Sequence, residues 1–96
     1  MKYLVTGSAG HLGEALMRTL RARCKDAIGL DVQPSPFTDI VGSIADRTVV
    51  RRALDGVNAV IHSATLHKPH VATHTRQDFV DVNISGTLNL LEEALA

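Results

Sequence analysis

The chain has 96 residues, room for one small domain. Apolar residues make up 45% but aromatics only 3%, so Ala, Val, Leu and Ile must fill the core, which favours close-packed α/β layers over an all-β sandwich. Acidic and basic side chains cancel to a net charge of zero, which gives no general attraction to nucleic acid or to an acidic membrane.

Residues 2–6 (Lys2-Tyr3-Leu4-Val5-Thr6) form a short apolar, β-branched run that stops at Gly7, the pattern of a buried strand. Met1-Lys2 leads straight into it without a signal-peptide pattern. No apolar stretch approaches the roughly 18 residues of a membrane span, so a cytoplasmic protein is expected. Residues 11–23 switch to helical spacing, with Leu12, Ala15, Leu16, Thr19 and Leu20 on one side and Glu14, Arg18, Arg21 and Arg23 on a solvated side. Cys24, the single cysteine, excludes an internal disulfide and reads as a small residue near the helix end.

Residues 26–31 predict a second strand ending in the carboxylate of Asp31. Pro34 and Pro36 enforce a loop, and residues 38–41 predict a short third strand. Asp46 is placed to cap a helix carrying Val49, Val50, Ala53 and Leu54, with Gly56 ending it. Residues 58–62 predict a fourth strand, residues 63–74 a polar loop rich in histidine, and residues 75–96 a last helix with Val80, Ile84, Thr87, Leu88, Leu91 and Leu95 in one stripe. Strands alternating with helices predict a Rossmann-type parallel sheet, the first half of a doubly wound α/β fold, in the order 3-2-1-4. The weakest joint is between strands two and three, whose short link has no crossover helix.

The run Thr6-Gly7-Ser8-Ala9-Gly10-His11-Leu12-Gly13 carries most of the functional signal. It follows a predicted strand and opens a predicted helix, the setting in which a glycine pattern cradles a diphosphate. Gly7 allows the sharp turn, Gly10 clears the approach of the pyrophosphate, and Gly13 lets helix and sheet pack closely. The free N–H groups of the helix start, at His11 and Leu12, then face the phosphates. The run lacks the Lys-Ser/Thr ending of a nucleoside-triphosphate loop. Asp31 stands 18 positions after Gly13, where a carboxylate can accept from the adenosine ribose and repel a 2′-phosphate. No Arg or Lys lies between Val32 and Phe37 to welcome that phosphate, so NAD is expected over NADP.

With these residues the chain resembles the N-terminal portion of the extended short-chain dehydrogenase/reductase family, also called the NAD-dependent epimerase/dehydratase family. Besides the glycine loop, the resemblance rests on Gly42-Ser43-Ile44-Ala45-Asp46, on Val60-Ile61-His62-Ser63-Ala64-Thr65, and on Val82-Asn83-Ile84-Ser85-Gly86-Thr87-Leu88-Asn89. It implies that Ser43 and Ile44 flank the adenine, with Ser43 where the family usually has Asp. It further implies that Ala64 passes close to the ribose on the nicotinamide side, and that Asn83 faces the cofactor side of the sheet. Residues 1–96 would then be an incomplete NAD(P)-binding Rossmann-like domain.

The same resemblance implies catalysis by a Ser/Thr and a Tyr-x-x-x-Lys pair. Neither is present: the single tyrosine is Tyr3, and the residue four later is Gly7. No catalytic residue is therefore assigned, and the chain alone is not expected to transfer hydride. A small-molecule substrate, a sugar nucleotide or a similar alcohol or carbonyl compound, is expected only if the chain is completed. A non-catalytic NAD-binding regulatory module and an inactive remnant stay open as alternatives. His62, His67, His70 and His74 are dense enough to raise a metal, but the intervening Pro69 and the lack of an interleaved cysteine or acid argue against one. His67 or Lys68 is a weaker candidate for the cofactor phosphates. The fourth strand, left without an outer neighbour, predicts self-association.

Overall fold

A computed structural model describes residues 1–66 and 70–95. The elements in chain order are β1 (Lys2–Thr6), α1 (His11–Ala22), β2 (Asp26–Asp31), β3 (Ile40–Val41), α2 (Arg47–Ala53), β4 (Ala59–His62), α3 (Arg76–Phe79), a π-helical stretch (Val80–Gly86) and α4 (Thr87–Leu95). The sheet order is β3-β2-β1-β4 and every pairing is parallel. Leu4 pairs with Ile28 on one side and Val60 on the other, while Thr6 pairs with Leu30 and His62.

Alternation along β1 sends Leu4 and Thr6 to one face and Val5 to the other. On the first face Leu4 and Leu30 join Ile44, Val50, Ala53 and Leu90 in a buried cluster. Each fully covered aliphatic side chain there contributes about 1.5–3 kcal/mol relative to exposure. Helix α1 covers the opposite face. Its buried residues are Gly13 and Met17, while Leu12, Ala15 and Thr19 of the expected stripe are exposed. Gly13 lies against the backbone of Gly7 and Ser8, where a Cβ would not fit, so the buried line runs through Gly13 and Met17, one residue on from Leu12 and Leu16.

The doubtful joint between β2 and β3 is closed by side chains. Thr38 and Asp39 lie outside the third strand, which begins at Ile40 rather than at 38. Gly29 N–H donates to Oδ2 of Asp39 at 2.8 Å, and the Asp39 N–H returns to Gly29 O at 2.9 Å. Asp39 thus substitutes a carboxylate for one rung of the ladder. The loop is pinned from α1, where the Arg18 and Arg21 guanidinium groups lie 4.9 and 5.2 Å from the Phe37 ring centre. These arginines keep solvent exposure but also hold the loop. At the other edge Asn58 is not in strand β4. Its Oδ1 accepts from Lys2 N–H at 2.8 Å, and its own N–H donates to Lys2 O at 2.8 Å.

Asp46 caps α2 by accepting from the N–H groups of Thr48 and Val49. Thr75 starts the last helical run through a reciprocal capping box with Asp78. The expected apolar stripe of that run does not face the core. Ile84 is 64% exposed, Leu91 62% and Leu95 89%, whereas Gly86, Asn89 and Leu90 are buried. The wider π turn shifts the residues that follow it around the axis, which a uniform 3.6-residue period could not anticipate. Asn89 Nδ2 donates to Ile44 O at 2.9 Å, and Arg47 reaches Asn89 Oδ1 at 2.9 Å and Glu92 at 2.6 Å. The last helix is therefore tied to α2 by polar contacts beside Leu90.

Candidate functional site

The ends of β1, β2 and β4 open on one groove of about 950 Å³. Its position, beyond the carboxyl ends of parallel strands, is where open α/β sheets bind ligands. Gly7, Gly10, His11, Leu12, Gly13, Asp31, Ser43, Ile44 and Ala64 all line it. The structure thus brings together residues from four separate segments that the sequence singled out.

Gly7 turns the chain off β1 with φ +73°, a conformation that L side chains rarely adopt. A Cβ there would also lie 2.9 Å from the Ala64 nitrogen. A Cβ on Gly13 would come within 1.8 Å of the Gly7 carbonyl oxygen, so α1 can start this close to the loop only with glycine. Gly10 differs from both. A Cβ there would meet Gly7 O at 3.4 Å and otherwise enter open space on the groove side. As the N-cap of α1 it offers no side chain to the first N–H groups of the helix. Those groups have no intrahelical partner, and with the helix dipole they favour an anion. The loop therefore fits a diphosphate.

Asp31 Oδ2 accepts from the Ala9 N–H at 3.0 Å and Oδ1 from the Gln33 N–H at 2.9 Å. Each oxygen keeps a further lone pair, which a ribose hydroxyl can use. Ser43 Oγ accepts from the Ala45 N–H at 3.1 Å, leaving its own proton to donate. Asn83 stands apart, since it is not among the groove-lining residues. Its Oδ1 accepts from the Leu66 N–H at 2.7 Å and its Nδ2 donates to Leu66 O at 2.7 Å. It holds the wall segment after β4 instead of forming the wall.

His70, His74, Asp78 and Val82 also line the groove; the sequence raised the two histidines only as metal candidates, and Asp78 and Val82 not as ligands at all. The His70 and His74 rings meet edge to face with centroids 5.3 Å apart. Their i, i+4 spacing was the available signal. No group of three or more His, Cys, Asp or Glu suited to a metal occurs among the described residues. His67 and Lys68, raised as phosphate candidates, lie outside the described residues. No helix among the described residues is long and apolar enough to cross a membrane.

The profile of the NAD dependent epimerase/dehydratase family matches residues 3–96. Sterol demethylase protein B of Methylococcus capsulatus is 34% identical over 98% of this chain and 30% of its own length. The 3 beta-hydroxysteroid dehydrogenase/Delta 5-->4-isomerase of Mycobacterium tuberculosis is 34% identical over 94% of this chain and 27% of its own. Among solved structures, a short-chain dehydrogenase/reductase superfamily protein from Agrobacterium tumefaciens with bound NAD superposes with a TM-score of 0.87 at 34% identity, over 98% of this chain and 29% of that one. The UDP-glucose 4-epimerase of Thermus thermophilus in complex with NAD gives 0.82 at 29% identity, over 97% and 33%. The chain thus spans about a third or less of the length of these relatives. With a glycine loop, an acid-tipped second strand and a matching profile over nearly its whole length, the chain belongs to the NAD dependent epimerase/dehydratase family.

Proposed function

We propose that residues 1–96 bind the adenosine and pyrophosphate half of NAD. The diphosphate lies on the start of α1 at Gly10, His11, Leu12 and Gly13, and the adenosine ribose on Asp31. The base rests against Ser43 and Ile44, and Ala64 borders the path towards the nicotinamide. The observation that carries this reading is the shared groove of the glycine loop and Asp31, linked by the 3.0 Å contact from Ala9. A dinucleotide satisfies both features at once, because its diphosphate and its vicinal diol are neighbours.

The reaction we assign to the longer protein is oxidoreductase or epimerase/dehydratase chemistry on a sugar nucleotide or a similar alcohol or carbonyl compound. NAD supplies hydride acceptance there, and the 96 residues supply binding and orientation, since they hold no Tyr-x-x-x-Lys pair. We place the protein in the cytoplasm.

Calorimetric titration of the chain with NAD and with NADP tests the reading. Saturable NAD heat with at least tenfold weaker NADP binding is expected. Absence of heat at millimolar NAD overturns it. Among the described residues the outer edge of β4 has no strand partner, and Ile84, Leu91 and Leu95 of the last helical run are exposed apolar side chains. We therefore assign the chain a tendency to self-associate, read by light scattering as a mass that rises with concentration.

A further inference from the structure

The wall segment 63–66 is held by a closed circuit of hydrogen bonds. Thr6, fully buried, accepts at Oγ1 from the N–H groups of Ser63 at 3.0 Å and Ala64 at 3.1 Å. Those two bonds use both of its lone pairs, so its one proton goes to Nδ1 of His62, 2.6 Å away. At the other end of the imidazole, Nε2 lies 3.0 Å from Thr87 Oγ1. Thr87 spends its own proton on the carbonyl of Asn83 at 2.9 Å, so it must accept from His62. Both ends demand the same tautomer: Nδ1 bare, Nε2 protonated. Asn83 closes the ring of contacts by gripping Leu66 N–H and C=O, each at 2.7 Å.

We propose that His62 is a positioning residue for the nucleotide groove. As the neutral Nε2–H tautomer it joins β1 to the last helix and so fixes the wall formed by Ser63, Ala64 and Leu66; a proton on Nδ1 opens the circuit. This rests on the reading of the groove as a dinucleotide site. A doubly protonated ring faces the Thr6 proton with another proton. Thr6 must then turn, and since the Ser63 N–H also reaches the Thr6 carbonyl oxygen at 3.3 Å, the amide left without its acceptor is that of Ala64. The side chains bonded to the ring from β1 and from the last helix are the hydroxyls of Thr6 and Thr87, neither of which titrates near neutrality. Burial of part of the ring lowers its pKa from 6.5, and no charged neighbour contributes to that shift.

Two readouts on the full chain test this. Ring 15N shifts at pH 7.5 are expected to report Nε2–H, with the Ala64 and Leu66 amides protected from exchange and losing that protection severalfold in step with the second protonation of the ring on the same 15N titration. An Nδ1–H tautomer, or unchanged protection, overturns the proposal whether or not NAD binds. The second readout is the NAD dissociation constant for wild type and His62→Gln from pH 8 down to the pH at which the 15N shifts show the wild-type ring doubly protonated. His11, His70 and His74 also border the groove, so the difference between the two profiles is what counts. Wild type is expected to weaken at least fivefold more than His62→Gln. Parallel profiles overturn the proposal while leaving NAD binding intact. No NAD binding at any pH overturns the nucleotide role, and the exchange data then judge the circuit separately.

Discussion

The Asp31 carboxylate accepts the Ala9 backbone N–H at 3.0 Å, joining the tip of β2 to the middle of the glycine loop. The residue assigned to the ribose is therefore also a brace for the segment assigned to the diphosphate. Asp31→Asn keeps an oxygen for Ala9 and removes the charge. Its NAD affinity is expected to fall about tenfold, one lost charge-assisted hydrogen bond, while NADP is no longer repelled. Asp31→Ala is expected to lose a further 1–2 kcal/mol of stability, about the worth of such a bond to the loop. Calorimetry and urea midpoints read the two effects. An Asp31→Asn chain that still rejects NADP would count against the assignment.

Gly10 and Gly13 make opposite demands, and alanine separates them. At Gly13 the added Cβ meets the backbone oxygen and carbon of Gly7 at 1.8 and 2.5 Å, neither of which can yield without moving the loop. Gly13→Ala is expected to cost about 3 kcal/mol, with a melting temperature lower by roughly 10 °C or more. Gly10→Ala meets protein only at 3.4 Å. It should fold with a loss of about 1 kcal/mol or less, since alanine is a poor N-cap, yet bind NAD at least tenfold more weakly. Equal stability losses in the two variants would refute this division.

Cys24 sits at φ +56° just past α1. Its N–H donates to Arg21 O at 3.0 Å and the Lys25 N–H to Leu20 O at 2.9 Å, the two bonds of a Schellman motif. Glycine suits this left-handed position better than a residue with a Cβ. Cys24→Gly is expected to raise stability by about 1 kcal/mol, visible as a higher urea midpoint with an unchanged slope. A lower midpoint would show that the thiol makes a contact that outweighs the backbone strain.

Glu93 receives Arg51 Nε at 2.7 Å and Arg47 at 3.3 Å, tying α4 to α2. The Arg51 hydrogen bond is the main reason its carboxyl lies below the ordinary 4.5. A lowered folded value means that the unfolded chain takes up the proton first. The tie is thus complete above pH 4.5 and is lost as pH falls through the folded value. The stability difference between wild type and Glu93→Gln should therefore shrink on acidification and vanish below that value. A difference constant from pH 7 to 3 in urea unfolding would show that Glu93 acts by packing alone.

Much of the fold was legible because its signals are local. Strands β1 and β2 end where Gly7 and the proline loop say they must, the Asp46 cap is in place, and the β3-β2-β1-β4 order follows from alternating strands and helices. The groove residues were legible for a related reason. The glycine loop fixes one backbone path, and a carboxylate at the end of the neighbouring strand must emerge on the same side of the sheet.

What the sequence determined by itself was the set of elements and the chemistry at their ends, because turn residues, caps and alternation act over a few positions. Tertiary structure alone decided the rest. The π turn between Val80 and Gly86 set which side of the last helix is buried, leaving Ile84 and Leu91 outside. Asn83 went to Leu66, and His62 to both Thr6 and Thr87. These partners are 17 to 56 positions apart, and a hydrogen bond over that distance exists only once packing has brought its two ends together.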